Sequence, residues 1–101
     1  MKKDTEIALI NVEIENDDWG NSIKKEFKEF ILAKVKSVSQ SEFYQAASQG
    51  FKPELVFEIY KVQYNQQPFI EYEGGRYSVV RTYSNTLDKL EIVCQRKLSD
   101  E

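Results

Sequence analysis

Apolar and polar residues alternate along most of the chain, which is the pattern of β-strands that bury one face. The first such segment, Thr5–Glu15, changes phase midway. Its apolar residues occupy one face at first and the opposite face afterwards: Ile7 and Leu9, then Ile10, Val12 and Ile14. A change of phase predicts either a β-bulge or a strand that is partly covered on both faces.

A polar turn and a second long strand follow. Residues 16–21 consist of Asn, Asp, Gly and one tryptophan, which predicts an exposed loop with Trp19 near its tip. Lys25–Val38 is predicted as a strand with apolar residues on one face and two lysines on the other: Ile31, Ala33 and Val35 against Lys34 and Lys36.

A short helix is predicted over 40–49. Ser39 and Glu42 match a capping box, in which the serine side chain accepts from the third helical N–H and the glutamate reaches back. Gly50 stands where a glycine commonly ends a helix. Three residues then define one apolar face at helical spacing: Phe43, Ala46 and Ala47.

Four further strands are predicted: Glu54–Tyr64, Phe69–Glu73, Arg76–Ser84 and Asp88–Lys97. The pair Gly74-Gly75 predicts a two-residue hairpin turn in which both residues have positive φ. Six closely spaced strands and one helix predict a mainly β fold. We expect a small six-stranded antiparallel β-barrel or sandwich, with the helix inserted between strands 2 and 3. The whole chain, residues 1–101, is expected to form one domain.

Composition narrows the possible partners. The formal net charge is −3, whereas domains that grip nucleic acid usually carry a basic excess. A local basic excess over 74–97 is interpreted as a solvated strand face, with an electrostatic docking patch as the alternative. The single cysteine, Cys94, excludes an internal disulfide and favours a reducing compartment. No apolar run approaches a membrane span and the N-terminus opens on charge, so synthesis in a cytoplasm without a signal peptide is expected.

Catalysis is not expected. The chain has no histidine, the side chain most often used for proton transfer near neutral pH. Cys94 shares a predicted strand face with Leu90 and Ile92, which indicates a buried, unreactive thiol. No two carboxylates are singled out by their spacing, and Asp17-Asp18 matches only half of a calcium loop. We therefore predict no catalytic residues, no metal site and no cofactor.

One alternative function is the binding of single-stranded nucleic acid by an OB-like barrel. Such barrels stack bases on aromatic side chains within a positive groove. The overall acidic charge weighs against this alternative. Five tyrosines could supply the stacking platform: Tyr60, Tyr64, Tyr72, Tyr77 and Tyr83.

Three segments together resemble the small head–tail joining proteins of tailed bacteriophages, which are also called head-closure, stopper or head–tail connector proteins. Residues 35–54 begin with VKSVSQSEFYQA and end with GFKPE. The turn at 16–21 reads NDDWGN, and residues 73–83 read EGGRYSVVRTY. Each motif alone is weak, but their order and spacing are fairly specific, and the resemblance covers most of the chain.

The resemblance implies a homo-oligomeric ring of β-barrel subunits beneath the portal and adaptor of a DNA-filled head. The ring would close the DNA exit and offer the tail a docking surface. The implied partners are other copies of this chain, the adaptor or portal proteins, and a tail-completion or tail-tube protein. Packaged DNA would only pass through the channel, and no membrane is involved. The implied location is the head–tail interface of the virion, after synthesis in the host bacterial cytoplasm, and the free subunit can be a monomer.

The resemblance also implies where the site residues lie. In the family the closing element is the loop between the second and third strands, which here is Ser39–Pro53. The candidates on this insertion are Ser41, Glu42, Tyr44 and Gln45. The candidate partner contacts on the first turn and on the C-terminal hairpin are Asp17, Asp18, Trp19, Arg76, Arg81 and Tyr83. A related adaptor or tail-completion role stays open, and the alternative for Phe43 and Tyr44 is that they anchor the helix on the barrel.

The chain departs from the family pattern in two places. Residues 65–68 read NQQP where members often carry Asn-Gly after the third strand. Pro68 cannot donate to a strand ladder, so we expect a wider loop here. Trp19 stands where a smaller apolar residue is usual.

Overall fold

The structure, a computed structural model, describes residues 4–84 and 86–96. Its elements in chain order are β1 (Thr5–Asn16), β2 (Ser22–Ser37), α1 (Gln40–Ala47), β3 (Leu55–Tyr60), a 3-10 turn (Lys61–Gln63), β4 (Phe69–Tyr72), β5 (Gly75–Tyr83) and β6 (Lys89–Arg96). The strands form one closed barrel in the order β1-β2-β3-β6-β5-β4, and all paired strands are antiparallel. The predicted fold is confirmed, with α1 between strands 2 and 3, and the pairing of β4 with β1 makes it a barrel rather than a sandwich.

The barrel is filled by the inward-facing residues of all six strands. Phe57 is fully buried, and its ring meets those of Tyr72 and Tyr77 edge to face, with centroids 5.4 and 6.1 Å away. Such edge-to-face pairs add to the stabilisation that burial alone provides. Cys94 is also fully buried and belongs to this core. In the described part of the chain, no helix is long and apolar enough to cross a membrane.

β1 is covered on both faces where its apolar pattern changes phase. Leu9 belongs to the core, and Ile10, its outward-facing neighbour, is also fully buried. The outer cover includes an ion pair that crosses β1, from Lys28 Nζ on β2 to Glu71 Oε1 on β4 at 3.1 Å. The β1–β2 register runs without interruption from Thr5 to Asn16. Coverage on both faces is therefore confirmed, and the alternative of a bulge in this strand is wrong.

The third strand is shorter than predicted. The prediction extended it to Tyr64, but β3 ends at Tyr60. The N–H of Tyr60 donates to Gln63 Oε1 at 3.2 Å, and the N–H of Tyr64 donates to the carbonyl of Lys61 at 3.2 Å. These local bonds satisfy backbone groups that a longer strand would have paired. The predicted end of the last strand, Lys97, lies outside the described residues.

The turn between β4 and β5 is displaced by one residue from the prediction. Its two loop residues are Glu73 and Gly74, with φ of +50° and +79°. Gly75 is instead the first residue of β5 and pairs with Tyr72. A Cβ at Gly75 would lie 3.3 Å from Nη2 of Arg96, so this glycine makes room for a side chain. The correct strand register therefore forces a non-glycine residue into the left-handed region.

β1 and β2 continue beyond the barrel as a two-stranded arm, which we define as residues 11–27. β1 pairs with β4 only over Ala8–Ile10, and β2 pairs with β3 only over Lys34–Ser37. The described molecule accordingly measures 51 × 29 × 26 Å. The loop at the end of the arm carries Trp19, which is 88% exposed, as the sequence predicts.

Candidate functional site

The start of α1 confirms one half of the predicted capping box. Ser39 is the N-cap, and its Oγ accepts a hydrogen bond from the N–H of Glu42 at 3.2 Å. The other half is wrong, because the Glu42 carboxylate pairs with the guanidinium of Arg81 on β5. The bond to arginine joins two groups of opposite charge, whereas a backbone N–H has no net charge, and this difference accounts for the choice of partner.

The ion pair also decides which face of α1 is buried. The buried residues are Glu42 and Ala46, one helical turn apart. Phe43 is 40% exposed and Ala47 is exposed. The predicted apolar face is therefore correct only at Ala46, and Phe43 is not a buried anchor.

α1 ends at Ala47, two residues before the predicted end, and the predicted glycine stop closes the turn that follows. Gly50 has φ of +89°, and its N–H donates to the carbonyl of Ala47 at 3.0 Å. The next N–H, of Phe51, donates to the carbonyl of Ala46 at 3.0 Å. Glycine takes this left-handed conformation without a steric penalty. The chain then returns to the barrel, where the N–H of Lys52 donates to Gln95 Oε1 at 2.9 Å.

Arg81 reaches Glu42 because of a β-bulge in β5. Val79 packs against the core and pairs with Cys94, so simple alternation would turn Arg81 inward as well. The register shifts between Val79 and Arg81, and Arg81 pairs with Val93, an outward-facing position of β6. The extra residue, Val80, thus brings Arg81 to the outer wall of the barrel.

A chain of polar contacts continues from Arg81 around this wall. Arg81 lies over the ring of Tyr83, 5.3 Å from its centroid. A hydrogen bond with Glu91, together with burial, raises the pKa of Tyr83 above its usual value. Glu91 is itself buried and accepts from Lys36 Nζ at 2.8 Å, and this bond raises the pKa of Lys36. The insertion is thereby connected to β5, β6 and β2.

A cleft of about 340 Å³ separates α1 from β5. It is lined by both partners of the ion pair and by residues on either side of them, including Gln45, Ala46, Phe51 and Val80. The insertion therefore lies on the barrel wall with unfilled space beside its tether.

The other candidates on the insertion are exposed to solvent. Ser41 and Gln45 are exposed, and Tyr44 is 62% exposed, with its ring edge to face against Phe43 at 6.1 Å. These three side chains are accessible to a second protein. Glu42 differs from them because it is buried, so substituting it changes the attachment of the helix first.

The candidates in the first turn form a separate, ordered loop. Asp17 Oδ1 accepts from the N–H of Trp19 at 2.9 Å and from the N–H of Asn21 at 2.8 Å. The bond from Asn21 is the largest cause that lowers the pKa of Asp17. Gly20 has φ of +82°, and Asp18 is exposed. The loop therefore presents Trp19 and Asp18 at the tip of the arm.

Arg76 lies apart from Arg81, although the sequence places both on one hairpin. Its guanidinium binds Glu26 of β2 through two bonds, of 2.8 and 2.9 Å, and lies 5.8 Å from the ring centroid of Phe69. The structure thus brings Glu42, Arg81 and Tyr83 together, and leaves Arg76 and the Trp19 loop in two other places.

The five candidate tyrosines do not form one stacking surface. Tyr77 is buried, and Tyr64 and Tyr72 pack against the core. Tyr60 is 52% exposed beside Lys89, whereas Tyr83 is 36% exposed beside Arg81.

Two kinds of reactive group can be assessed among the described residues, the thiol of Cys94 and clusters of metal ligands. Burial raises the pKa of the Cys94 thiol to about 12, which keeps it protonated near neutral pH. Residues 4–84 and 86–96 contain no cluster of three or more His, Cys, Asp or Glu side chains that could hold a metal ion.

Comparison of the sequence with protein-family models finds no match, and comparison with curated proteins finds none either.

The sequence interpretation missed three features of these surfaces. Glu91 and Lys36 looked like ordinary strand positions, and only the register of four strands brings them beside Tyr83. The bulge at Val80 had no sequence marker such as glycine. The length of the arm could have been inferred from the mixed polarity of Ser22–Phe30, which lacks the clean alternation of a barrel strand.

Proposed function

We propose that this chain is a subunit of a bacteriophage head–tail connector. Copies form a ring under the portal and adaptor, close the DNA-filled head and provide the surface on which the tail docks. The observation that carries the proposal is the Glu42–Arg81 ion pair. It joins the two longest segments that resemble the family, residues 35–54 and 73–83, so the resemblance falls on parts of the molecule that are in contact.

The attachment of the insertion supports a movable closing element. Its buried contacts on the barrel include one charged residue, Glu42, and one small one, Ala46. The Arg81 side chain is 49% exposed, so its bond to Glu42 can exchange with water or with another carboxylate. A cleft already lies beside the tether. Rearrangement of such a segment exposes little apolar surface and therefore costs little free energy.

The exposed face of α1 supplies the contacts for assembly. Tyr44 offers a large ring with few rotatable bonds, which suits a protein interface. Ser41 and Gln45 flank it with hydrogen-bonding groups. The net charge of −3 leaves little attraction for phosphates, so DNA can pass through the ring without being held. The proposed location is the head–tail interface of the virion.

The test uses DNA-filled heads isolated from a phage or prophage lysate that lacks this gene product. Purified chain is added, and both its co-sedimentation with heads and the protection of packaged DNA from nuclease are measured. The proposal predicts stoichiometric binding and increased protection. Failure to bind, or quenching of Trp19 fluorescence by short single strands at micromolar concentration, would contradict it, and the second result would favour the OB-like alternative.

A matched pair of variants separates interface from stability. Tyr44→Ala removes an exposed ring from α1, whereas Val62→Ala removes exposed apolar atoms from the 3-10 turn, where Val62 is 90% exposed. We expect Tyr44→Ala to weaken head binding about tenfold or more with a nearly unchanged melting temperature. Val62→Ala should leave the melting temperature nearly unchanged and head binding within about threefold of wild type.

A further inference from the structure

The arm leaves two backbone edges open. Among the described residues, β2 has a strand on only one side from Ser22 to Ala33, and β1 has a strand on only one side from Asn11 to Asn16. Isolated two-stranded hairpins are marginally stable in water, and long open edges pair readily with another strand. The arm therefore has the properties of a pairing surface.

Backbone groups of alternate residues point into the open edge of β2. The N–H of Lys61 donates to the carbonyl of Asp88 at 2.8 Å, so odd-numbered residues of β3 bond to β6 and even-numbered ones face β2. Glu58 of β3 pairs with Lys34, so even-numbered residues of β2 face away from β1. Beyond the end of β3 this leaves the N–H and C=O of Lys24 and of the other even-numbered residues at the open edge.

The two edges of the arm carry opposite charge. The β1 side, Asn11–Asn16, contains two glutamates and no basic residue. The β2 side, Ser22–Phe27, contains two lysines and one glutamate. Within the arm this complementarity is already used, since Lys25 Nζ lies 2.9 Å from a carboxylate oxygen of Glu15. A second copy of the chain presents the same acidic β1 edge to the basic β2 edge of the first.

We propose that arms of neighbouring copies pair edge to edge, with β2 of one copy beside β1 of the next. Because β1 and β2 are antiparallel, arms that point the same way continue one antiparallel sheet. The contact joins two different edges, and contacts of this head-to-tail kind close into rings when the rotation allows. The edge pairing is inferred from the arm alone; its closure into a ring rests on the proposed function.

Pairing would also cover apolar side chains that the barrel cannot reach. Ile14, Ile23 and Phe27 are 68%, 43% and 49% exposed along the arm. Side chains on adjacent strands of a sheet shield one another on both faces. Trp19 at the tip lies beyond the paired segment and stays accessible to a different partner.

The first experiment compares Lys24→Pro with Lys24→Ala by sedimentation equilibrium at up to about 1 mM chain, the range of weak contacts. Proline at this position removes an N–H at the open edge and none from the β1–β2 ladder. Wild type and Lys24→Ala should both associate, with constants within about threefold. Lys24→Pro should lower the association constant at least tenfold. A wild-type chain that stays monomeric, or a folded Lys24→Pro that associates like Lys24→Ala, overturns the inference.

The second experiment exchanges charge across the contact and does not depend on the proline variant folding. Glu13→Lys and Lys25→Glu should each weaken self-association about fivefold, and an equimolar mixture of the two should restore it. The charge change inside each variant's own arm is the same in the mixture as in the variant alone. Recovery of self-association in the mixture therefore reports the contact between copies. A mixture no stronger than either variant alone overturns the inference. If the chain binds heads but its arms do not pair, this inference is wrong and the proposed function is retained. If the arms pair but the chain does not bind heads, the proposed function is wrong and the edge pairing is retained.

Discussion

The carboxylate of Glu42 on the inserted helix is paired with the guanidinium of Arg81 on β5, across 39 residues of sequence. The pair is asymmetric, since the side chain of Glu42 is 8% exposed and that of Arg81 is 49% exposed. Breaking the ion pair therefore costs most at Glu42, because its carboxylate would stay buried without the cation that compensates its charge. This relationship makes the position of the insertion depend on one side chain of the barrel.

Arg81→Ala should loosen α1 without unfolding the barrel. We expect a loss of about 1–2 kcal/mol in the free energy of helix opening, because a poorly solvated carboxylate loses its partner. Hydrogen exchange measures this residue by residue. Amides of Phe43 to Ala47 should exchange roughly tenfold faster, while those of Phe57 and Ile92 stay protected.

Glu42→Gln is the matched control for this change. It keeps the shape of the side chain and the cap from Ser39, and it removes only the charge. Because an amide can still hydrogen-bond to Arg81, the helix should exchange faster than in wild type but slower than in Arg81→Ala. Uniform loss of protection in helix and barrel alike would contradict a local tether.

Alkaline pH should destabilise the wall beside the tether. The pKa values of Tyr83 and Lys36 are both raised, each with a hydrogen bond to Glu91 as the main cause. A group whose pKa is higher in the folded than in the unfolded state stabilises the fold fully at pH values below its unfolded-state pKa. This stabilisation is lost as the pH rises through its folded-state pKa. Unfolding free energy should therefore fall above about pH 10, where phenol and ammonium begin to titrate.

Glu91→Gln tests the cause of this alkaline loss. The substitution should bring the pKa of Tyr83 back toward 10, as followed by the ultraviolet absorbance of the phenolate, and should flatten the fall of stability above pH 10. An unchanged tyrosine titration in Glu91→Gln would contradict the assigned hydrogen bond.

The Cys94 thiol should react only when the barrel opens. Its pKa of about 12, against an ordinary 9.0, leaves roughly a thousandfold less thiolate at pH 8 than in an unfolded chain. Labelling by a thiol reagent at pH 8 should therefore be at least that much slower than in denaturant. Labelling at comparable rates under the two conditions would show that Cys94 is not in the closed core.

The turn at Glu73-Gly74 offers a stabilising substitution. Glu73 has φ of +50°, which is unfavourable for glutamate and tolerable for asparagine. Glu73→Asn should raise the unfolding free energy by about 0.5–1 kcal/mol in urea denaturation. Gly74→Ala, at φ of +79°, should lower it by about 1–2 kcal/mol. The changes in unfolding free energy must have opposite signs in the two variants, because both predictions follow from the same turn conformation.

The strand pattern predicted the barrel and the core because alternation reports burial directly. Ile31 and Ala33 of β2, and Ile92 and Cys94 of β6, all lie on the core-facing side that period two assigns them. The cap at Ser39 and the stop at Gly50 were also predictable, because both depend on residues next to each other in sequence.

The site was less predictable because it depends on register. The sequence placed Glu42, Arg81 and Tyr83 in the right segments, but not in one cluster. Their contact requires the bulge at Val80, which reverses the face of β5, and the pairing of β5 with β6. The exact turn at Glu73 likewise follows from cross-strand pairing rather than from the two glycines.

Electron microscopy of DNA-filled heads mixed with the purified chain shows whether the chain is a connector subunit. A connector subunit should add a ring of density at the portal vertex, with α1 at the channel and the Trp19 loop at a surface facing another protein. Heads that remain without added density in the presence of excess folded chain would contradict this role.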